Sequence, residues 1–300
     1  MVEMNPHRKQ WILRSLLFVP GHQRQLMEKA RKSAADAVVL DLEDAVPSDR
    51  KKAAREIIFQ ALQEGALGDK ILFIRVNNLA GNLTEEEVTL LACKRISGFV
   101  YPQANSSVEL SEMDDLLKRV EKTKRIAAMT FSLIPILESP RAILHAYSIA
   151  TSTDRIVALI FGCEDYLAAL QGRHSTEESA LLVPRSLTAA AARAAGVEPI
   201  DAPYTRVHDL EGLQAFAEKG RNLGMSGMLT LSPRQIPIIH NVYTPNESEI
   251  ERARRIITAA ESTSWNGVFL SGGEFIAPPT VRAARKLLAR AQAVASFTSE

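Results

Sequence analysis

The feature that most constrains this chain is an alternation. Short, nearly unbroken apolar runs rich in β-branched and aromatic residues each precede a longer stretch with helical apolar spacing. The runs are RSLLFVP (14–20), AVVLDLED (37–44), ILFIRVNN (71–78), GFVYPQ (98–103), FSLIPILES (131–139), RIVALIFG (155–162), VEPIDAPY (197–204) and GMLTLSP (227–233). Continuous apolar character marks parallel strands covered on both faces, because a half-exposed strand alternates. Helical spacing fills Arg24–Ala34, Ser48–Gln63, Leu110–Glu121, Pro140–Ala150, Leu187–Ala195 and Leu210–Leu223. Ser139 before Pro140 reads as a helix start, and Gly196 as a stop. Eight β–α units are the count that closes a barrel, so the pattern predicts a (β/α)8 TIM barrel over residues 1–240, with a doubly wound open sheet as the competing architecture. Helical segments near Glu247–Ser262 and Pro279–Ala295, parted by the turn-rich SWNGVFLSGGEF (264–275), predict a C-terminal helical extension over residues 241–300.

Composition excludes several functions. With 36 Lys+Arg against 35 Asp+Glu, the net charge of +1 gives no long-range field for a phosphate backbone, so nucleic acid is not an expected partner. No apolar run approaches the ~20 residues of a membrane span, and the N-terminal stretch lacks the apolar core of a secretory signal. Cys93 and Cys163 form neither a CxxC nor a disulfide framework, which fits a reducing cytosol. The expectation is a cytoplasmic globular protein without a membrane partner.

In a β/α barrel, chemistry collects where the strands end, so polar residues closing apolar runs are the candidates. Asp41, Glu43 and Asp44 close the second run, Arg75 with Asn77 and Asn78 the third, Gln103 the fourth and Glu138 the fifth. Glu164 and Asp165 follow the sixth; Asp201 and Tyr204 close the seventh and Ser232 the eighth. Glu138 and Asp165 end consecutive strands, and neighbouring strands ~4.8 Å apart let two carboxylates share one hard cation such as Mg2+. The alternative is that Glu138 caps the next helix and Asp165 is an acid of a helix's first turn. Arg75, buried among apolar neighbours, must meet either a carboxylate of DLED or a substrate anion. Asp41 and Glu43 share one strand face, where they either orient the waters of a cation or form a hydrogen-bonded strand end with Asp44 capping a helix. Arg14, Arg24 and Lys29 around Pro20–Gly21 offer a weak phosphate-binding signal. The histidines lack zinc-ligand spacing, and Gly162–Cys163 is read as a turn presenting acids rather than a thiolate site.

With those residues in view, the chain resembles the citrate lyase β-subunit-like family, which groups with malyl-CoA and citramalyl-CoA lyases in the HpcH/HpaI aldolase superfamily. The resemblance runs from Arg14 to about Arg255, through RSLLFVPG, VVLDLEDAV with KKAAR, IRVNN, ILESPRA, IFGCEDY, AGVEPIDAPY and DLEGLQAFAEKGRNLGMSGM. It implies a Mg2+-dependent carbon–carbon lyase cleaving a 3-hydroxyacyl-CoA thioester by retro-aldol (Claisen-type) chemistry. Citramalyl-CoA, giving acetyl-CoA and pyruvate, ranks before the citryl and malyl equivalents. It makes Glu138 and Asp165 the metal ligands and Arg75 the binder of substrate carboxylate and oxyanion charge. Arg14, Lys29, Glu43, Asp44 and Glu138 join Arg75 as substrate-binding residues, with Lys29 and Arg24 near the coenzyme A phosphates. The implied assembly is a homo-oligomer, a trimer or hexamer. Departures from the family pattern are Gln103 for a lysine, Ser232 for a histidine, and Ala277 or Pro278 for an aspartate, with Glu274 as the nearest acid. Competing readings are a metal-dependent aldolase acting on free 2-oxo-4-hydroxy acids and a non-catalytic citrate-lyase-like subunit.

Overall fold

The computed structural model describes residues 9, 11–175, 177–262, 267–272 and 274–299. Eight parallel strands close into a barrel in sequence order: β1 (Ser15–Pro20), β2 (Ala37–Asp41), β3 (Ile71–Arg75), β4 (Gly98–Tyr101), β5 (Ser132–Leu137), β6 (Ala158–Phe161), β7 (Glu198–Asp201) and β8 (Gly227–Thr230). Each predicted run contains its strand, and the second to fifth, seventh and eighth overshoot it by residues, most of them polar, that leave the ladder toward the rim; the first overshoots only at its base and the sixth by Gly162 alone at the rim. Closure pairs β8 with β1, which abolishes the sheet edge, and burial by the interior on one side and the helices on the other explains why the strands are largely apolar. Leu16, Val39, Phe73, Val100, Ile134, Ile160, Ile200 and Leu229 fill the interior, a packed core rather than a pore.

The chain divides into two compact units, Met1–His240 and Asn241–Glu300. In the first, helices between strands form the outer ring, and their ends follow local chemistry. Ser139 accepts the Ala142 N–H at the start of Pro140–Leu144, and Gly196 closes Ser179–Ala195 with a left-handed φ of 71°. That last helix begins eight residues earlier than its periodicity suggests and holds Pro184 inside. Among the described residues of the second unit, Glu247–Ser262 packs on Pro278–Ser299 through Ile256, Ala260, Val281 and Ala284. A short antiparallel hairpin, β9 (Phe269–Ser271) with β10 (Glu274–Ile276), stands where the sequence suggested only turns. No helix among the described residues is long and apolar enough to cross a membrane.

Candidate active site

Strand register assembles the site. Asp41 is the ladder partner of both Pro20 on β1 and Arg75 on β3, so the three ends stand at one level. Gly21 follows directly and passes so close that a Cβ would lie 2.6 Å from the Asp41 carbonyl oxygen. The Pro20–Gly21 turn is therefore explained by close backbone approach, without a phosphate. Beside it, His22 buries Nδ1 with no hydrogen-bond partner among the described residues.

Arg75 is gripped by acids. Its Nε and Nη2 donate to the two Asp41 oxygens at 2.6 Å each, Nη1 lies 2.9 Å from Glu43 Oε2, and Asp44 stands at 3.9 Å. The guanidinium also covers the Phe18 ring at 5.1 Å. Of the two destinies open to it, internal pairing is realised, and the paired acids hold it firmly protonated despite burial. Asp41 further accepts the N–H groups of Glu43 and Ala45, which curls DLEDA into a tight rim. Asp44 caps no helix. Lys51 locks this rim from behind, donating to the carbonyls of Leu42 and Glu43 and to Asn77 Oδ1. Sequence reasoning passed over Lys51, although KKAAR was the signal that held it.

Glu138 directly follows β5, with only 7% of its surface exposed. One oxygen, Oε1, accepts the Gln103 backbone N–H at 2.5 Å. The other is given room by Gly162, where a Cβ would lie 2.9 Å from Oε2 and 2.7 Å from the Glu138 Cβ. The helix after this strand is capped by Ser139, so Glu138 is not used as a cap. Burial pushes its pKa up to about 8, aided by the charges of Asp165 and Glu43 and opposed by the Gln103 N–H and Arg75. Glu43 is likewise pushed up to about 7, chiefly by burial against the pull of Arg75. Asp165 sits exposed in the first turn of Cys163–Leu170, as one alternative foresaw, yet near enough for its charge to act on Glu138.

The outcome is a rim where carboxylates outnumber cations: Asp41, Glu43 and Glu138, all buried, with Asp44 and Asp165 exposed beside them, against Arg75 and the backing Lys51. Buried negative charge in excess is costly unless protons or a cation neutralise it. Among the described residues no three His, Cys, Asp or Glu side chains gather in metal-binding geometry. The donor set that fits is two carboxylates, with water and substrate oxygens completing a hard cation's shell.

Other sequence expectations need correction. Arg14 does not approach the rim; it precedes β1 at the opposite end, with Nε and Nη2 on Asp36 at 2.9 and 2.8 Å. Lys29 lies exposed in the last turn of Arg24–Arg31, away from the strand ends, because the helix runs back down the barrel. Arg24 is engaged by Glu64 at 2.5 Å. Asp201 does not join the acid cluster and is fully buried against Arg185 of the outer helix, which stacks 4.1 Å over Phe216. Tyr204 donates to Asp209, and Ser232 caps the turn Pro233–Gln235 through the Arg234 N–H. Ala277 precedes the last helix, and the side chain of Glu274 lies outside the described residues.

Comparison with known proteins places this arrangement. The chain is 30% identical over 287 residues to citrate lyase subunit beta of Escherichia coli K12, covering 95% of each. It is 31% identical over 286 residues to a (3S)-malyl-CoA thioesterase of Cereibacter sphaeroides, covering 95% of this chain and 96% of that one. The crystal structure of CitE from Mycobacterium tuberculosis in complex with magnesium, acetoacetate and coenzyme A matches with a TM-score of 0.75 and 27% identity, over 93% of this chain and 98% of that one. The HpcH/HpaI aldolase/citrate lyase model matches residues 14–233. The chain therefore belongs to the HpcH/HpaI aldolase/citrate lyase family.

Proposed function

We propose that this protein cleaves a carbon–carbon bond in a 3-hydroxyacyl-CoA thioester by retro-aldol (Claisen-type) chemistry, with Mg2+ held by Glu138 and Asp165 and citramalyl-CoA as first substrate. The observation that carries this reading is the surplus of buried carboxylate around Glu138 beside one braced guanidinium. The magnesium, acetoacetate and coenzyme A in the CitE crystal support the choice of cation and of thioester.

When bound, Mg2+ would supply Lewis-acid polarisation of the substrate hydroxyl, lowering its pKa. The remaining roles fall to the chain. Glu138 keeps its orientation through the Gln103 N–H and the space above Gly162. Arg75, held along one edge by Asp41 and at Nη1 by Glu43, presents its charge to the enolate oxygen that forms as the bond breaks, an effect of the size of one oxyanion donor, ~3–4 kcal/mol. Glu43, whose pKa of about 7 is near that wanted for proton transfer, takes the hydroxyl proton and returns it to the enolate carbon. Its protonation is thus unchanged over a turnover. Products are acetyl-CoA and pyruvate. Assembly as a homotrimer or hexamer belongs to the same reading, supported by exposed Leu144, Tyr147, Leu182 and Val183 on outer helices.

The test is to incubate purified protein and Mg2+ with citramalyl-, malyl- and citryl-CoA, following 2-oxo acid and free thiol separately. Production of 2-oxo acid without thiol supports the lyase. Thiol release alone would make the protein a thioesterase, and turnover of none would leave a non-catalytic subunit. Light scattering after size exclusion reads the assembly.

A further inference from the structure

A cleft of about 450 Å³ opens beside the acid cluster, between the ends of β3 and β4. Gln103 joins the two: its side chain lines the cleft while its backbone N–H holds Glu138. The residue adopts a left-handed φ of 51°, a conformation non-glycine residues seldom take, and neighbouring amides stabilise it. Asn78 Nδ2 donates to Gln103 Oε1 at 2.6 Å, and Asn105 Nδ2 to the Gln103 carbonyl at 2.8 Å. Gln103 Nε2 has no protein acceptor among the described residues.

Tyr101 forms the floor, 2% exposed, with its hydroxyl accepting the Leu79 N–H at 3.3 Å. Its own proton meets no acceptor among the described residues. Burial pushes the phenol up to about 12, so it stays a neutral donor. The lining thus offers neutral donors and the aliphatic Leu79 and Ala80, together with two acids, Glu109 and Glu112. Among the described residues no Lys, Arg or His lines it. Glu109 is occupied at the helix start, accepting from the Asn105 N–H and the Ser106 hydroxyl. Glu112 is exposed on the same helix.

We infer that this cleft receives the substituent on the hydroxyl-bearing carbon and accepts only uncharged ones, so the enzyme takes substrates yielding a monocarboxylic 2-oxo acid and refuses those yielding a dicarboxylic one. The inference rests on the lyase reading for its chemistry. A hydrogen or methyl group packs on Leu79 and Ala80. A carboxymethyl group would bring a second negative charge beside Glu109 and Glu112, with no countercharge among the described lining residues. Pyruvate-type products fit, and oxaloacetate-type products do not.

Two readouts test this. The first is the ratio of kcat/KM for citramalyl-CoA over citryl-CoA in wild type and in Glu112→Lys. The second is calorimetric titration of pyruvate and oxaloacetate in the presence of Mg2+, which needs no turnover. Wild type is expected to favour citramalyl-CoA and pyruvate by at least about tenfold, and Glu112→Lys to narrow both ratios by about tenfold. Equal or tighter binding of oxaloacetate by wild type overturns the inference, whether or not any thioester is cleaved. An unchanged ratio in Glu112→Lys also overturns it. Absence of thioester cleavage with the pyruvate preference intact would sink the lyase reading while supporting the cleft's selectivity.

Discussion

The two ends of the barrel treat charge in opposite ways. At the N-terminal end, each buried cation has its acid. Arg14 is bidentate to Asp36, with the His240 ring 2.8 Å from Ser15 Oγ and 3.3 Å from Asp36. Arg155 places its Nη groups on both oxygens of Glu121, at 2.8 and 2.7 Å, and Nε on Asp114 at 2.6 Å. At the C-terminal end, Glu43 and Glu138 are held far above the usual carboxylate range because burial and neighbouring acids outweigh Arg75. Balanced pairs hold a fold together. A surplus of one sign needs a ligand, and its cost is met by the stability generated elsewhere.

The sharpest way to break this contrast is at Glu138 and Asp165. Glu138→Gln and Asp165→Asn should each lower kcat at least about a thousandfold, the loss of a positioned charge at the reacting centre, while thermal melts stay near wild type. Retained activity with a fallen Tm would make them structural acids. Arg75→Lys should cost about a hundredfold in kcat/KM, because an ammonium cannot make the two-pronged contact to Asp41. Near-normal turnover would remove Arg75 from the chemistry.

At the other end, Arg155→Met should destabilise by about 3–5 kcal/mol in urea, leaving Glu121 and Asp114 without their partner. Specific activity of the folded fraction should not change; a comparable kinetic loss would show that the ends are coupled. Mg2+ should raise the wild-type melting temperature, by about 2.7 kcal/mol of stability at a hundredfold excess over Kd, and should not raise that of Glu138→Gln. Equal stabilisation of both would place the cation elsewhere.

The smallest effect is pH dependence at His240, whose pKa burial holds below the ordinary histidine value despite the pull of Asp36. The unfolded chain then binds the proton more readily. The stability this neutral ring contributes is fully present above pH 6.5 and is lost as pH falls from there through the lower folded value. Denaturant melts of wild type against His240→Gln across that window should converge on acidification. A gap that widened would reverse the sign.

Much of the active end was legible because a charged residue closing an apolar run stands out. Glu138, Arg75 and the acids of DLED announce themselves in that way, and the strand register then brings Asp41 to Arg75. What stayed hidden was direction and partnership. Asp201 closes its run as plainly as Glu138 does, yet it is claimed by Arg185, sixteen residues upstream on a helix. Nothing local marks Arg185, a buried guanidinium in an otherwise apolar and alanine-rich segment. Arg155 likewise meets Glu121 across 34 residues. Arg14 precedes its run and so stands at the base of the strand, as the sequence order requires; the substrate role attached to it by the resemblance fails because its guanidinium is taken by Asp36, a partner 22 residues away that only folding brings near.

The sequence by itself determined the eight-unit alternation, the barrel and the polar residues at strand ends, because hydrophobic period and chain breaks are local properties. Tertiary structure alone decided which of those charges cancel and which accumulate. Electrostatic energy depends on burial and on distances between groups far apart in the chain, and only closure of the barrel sets them.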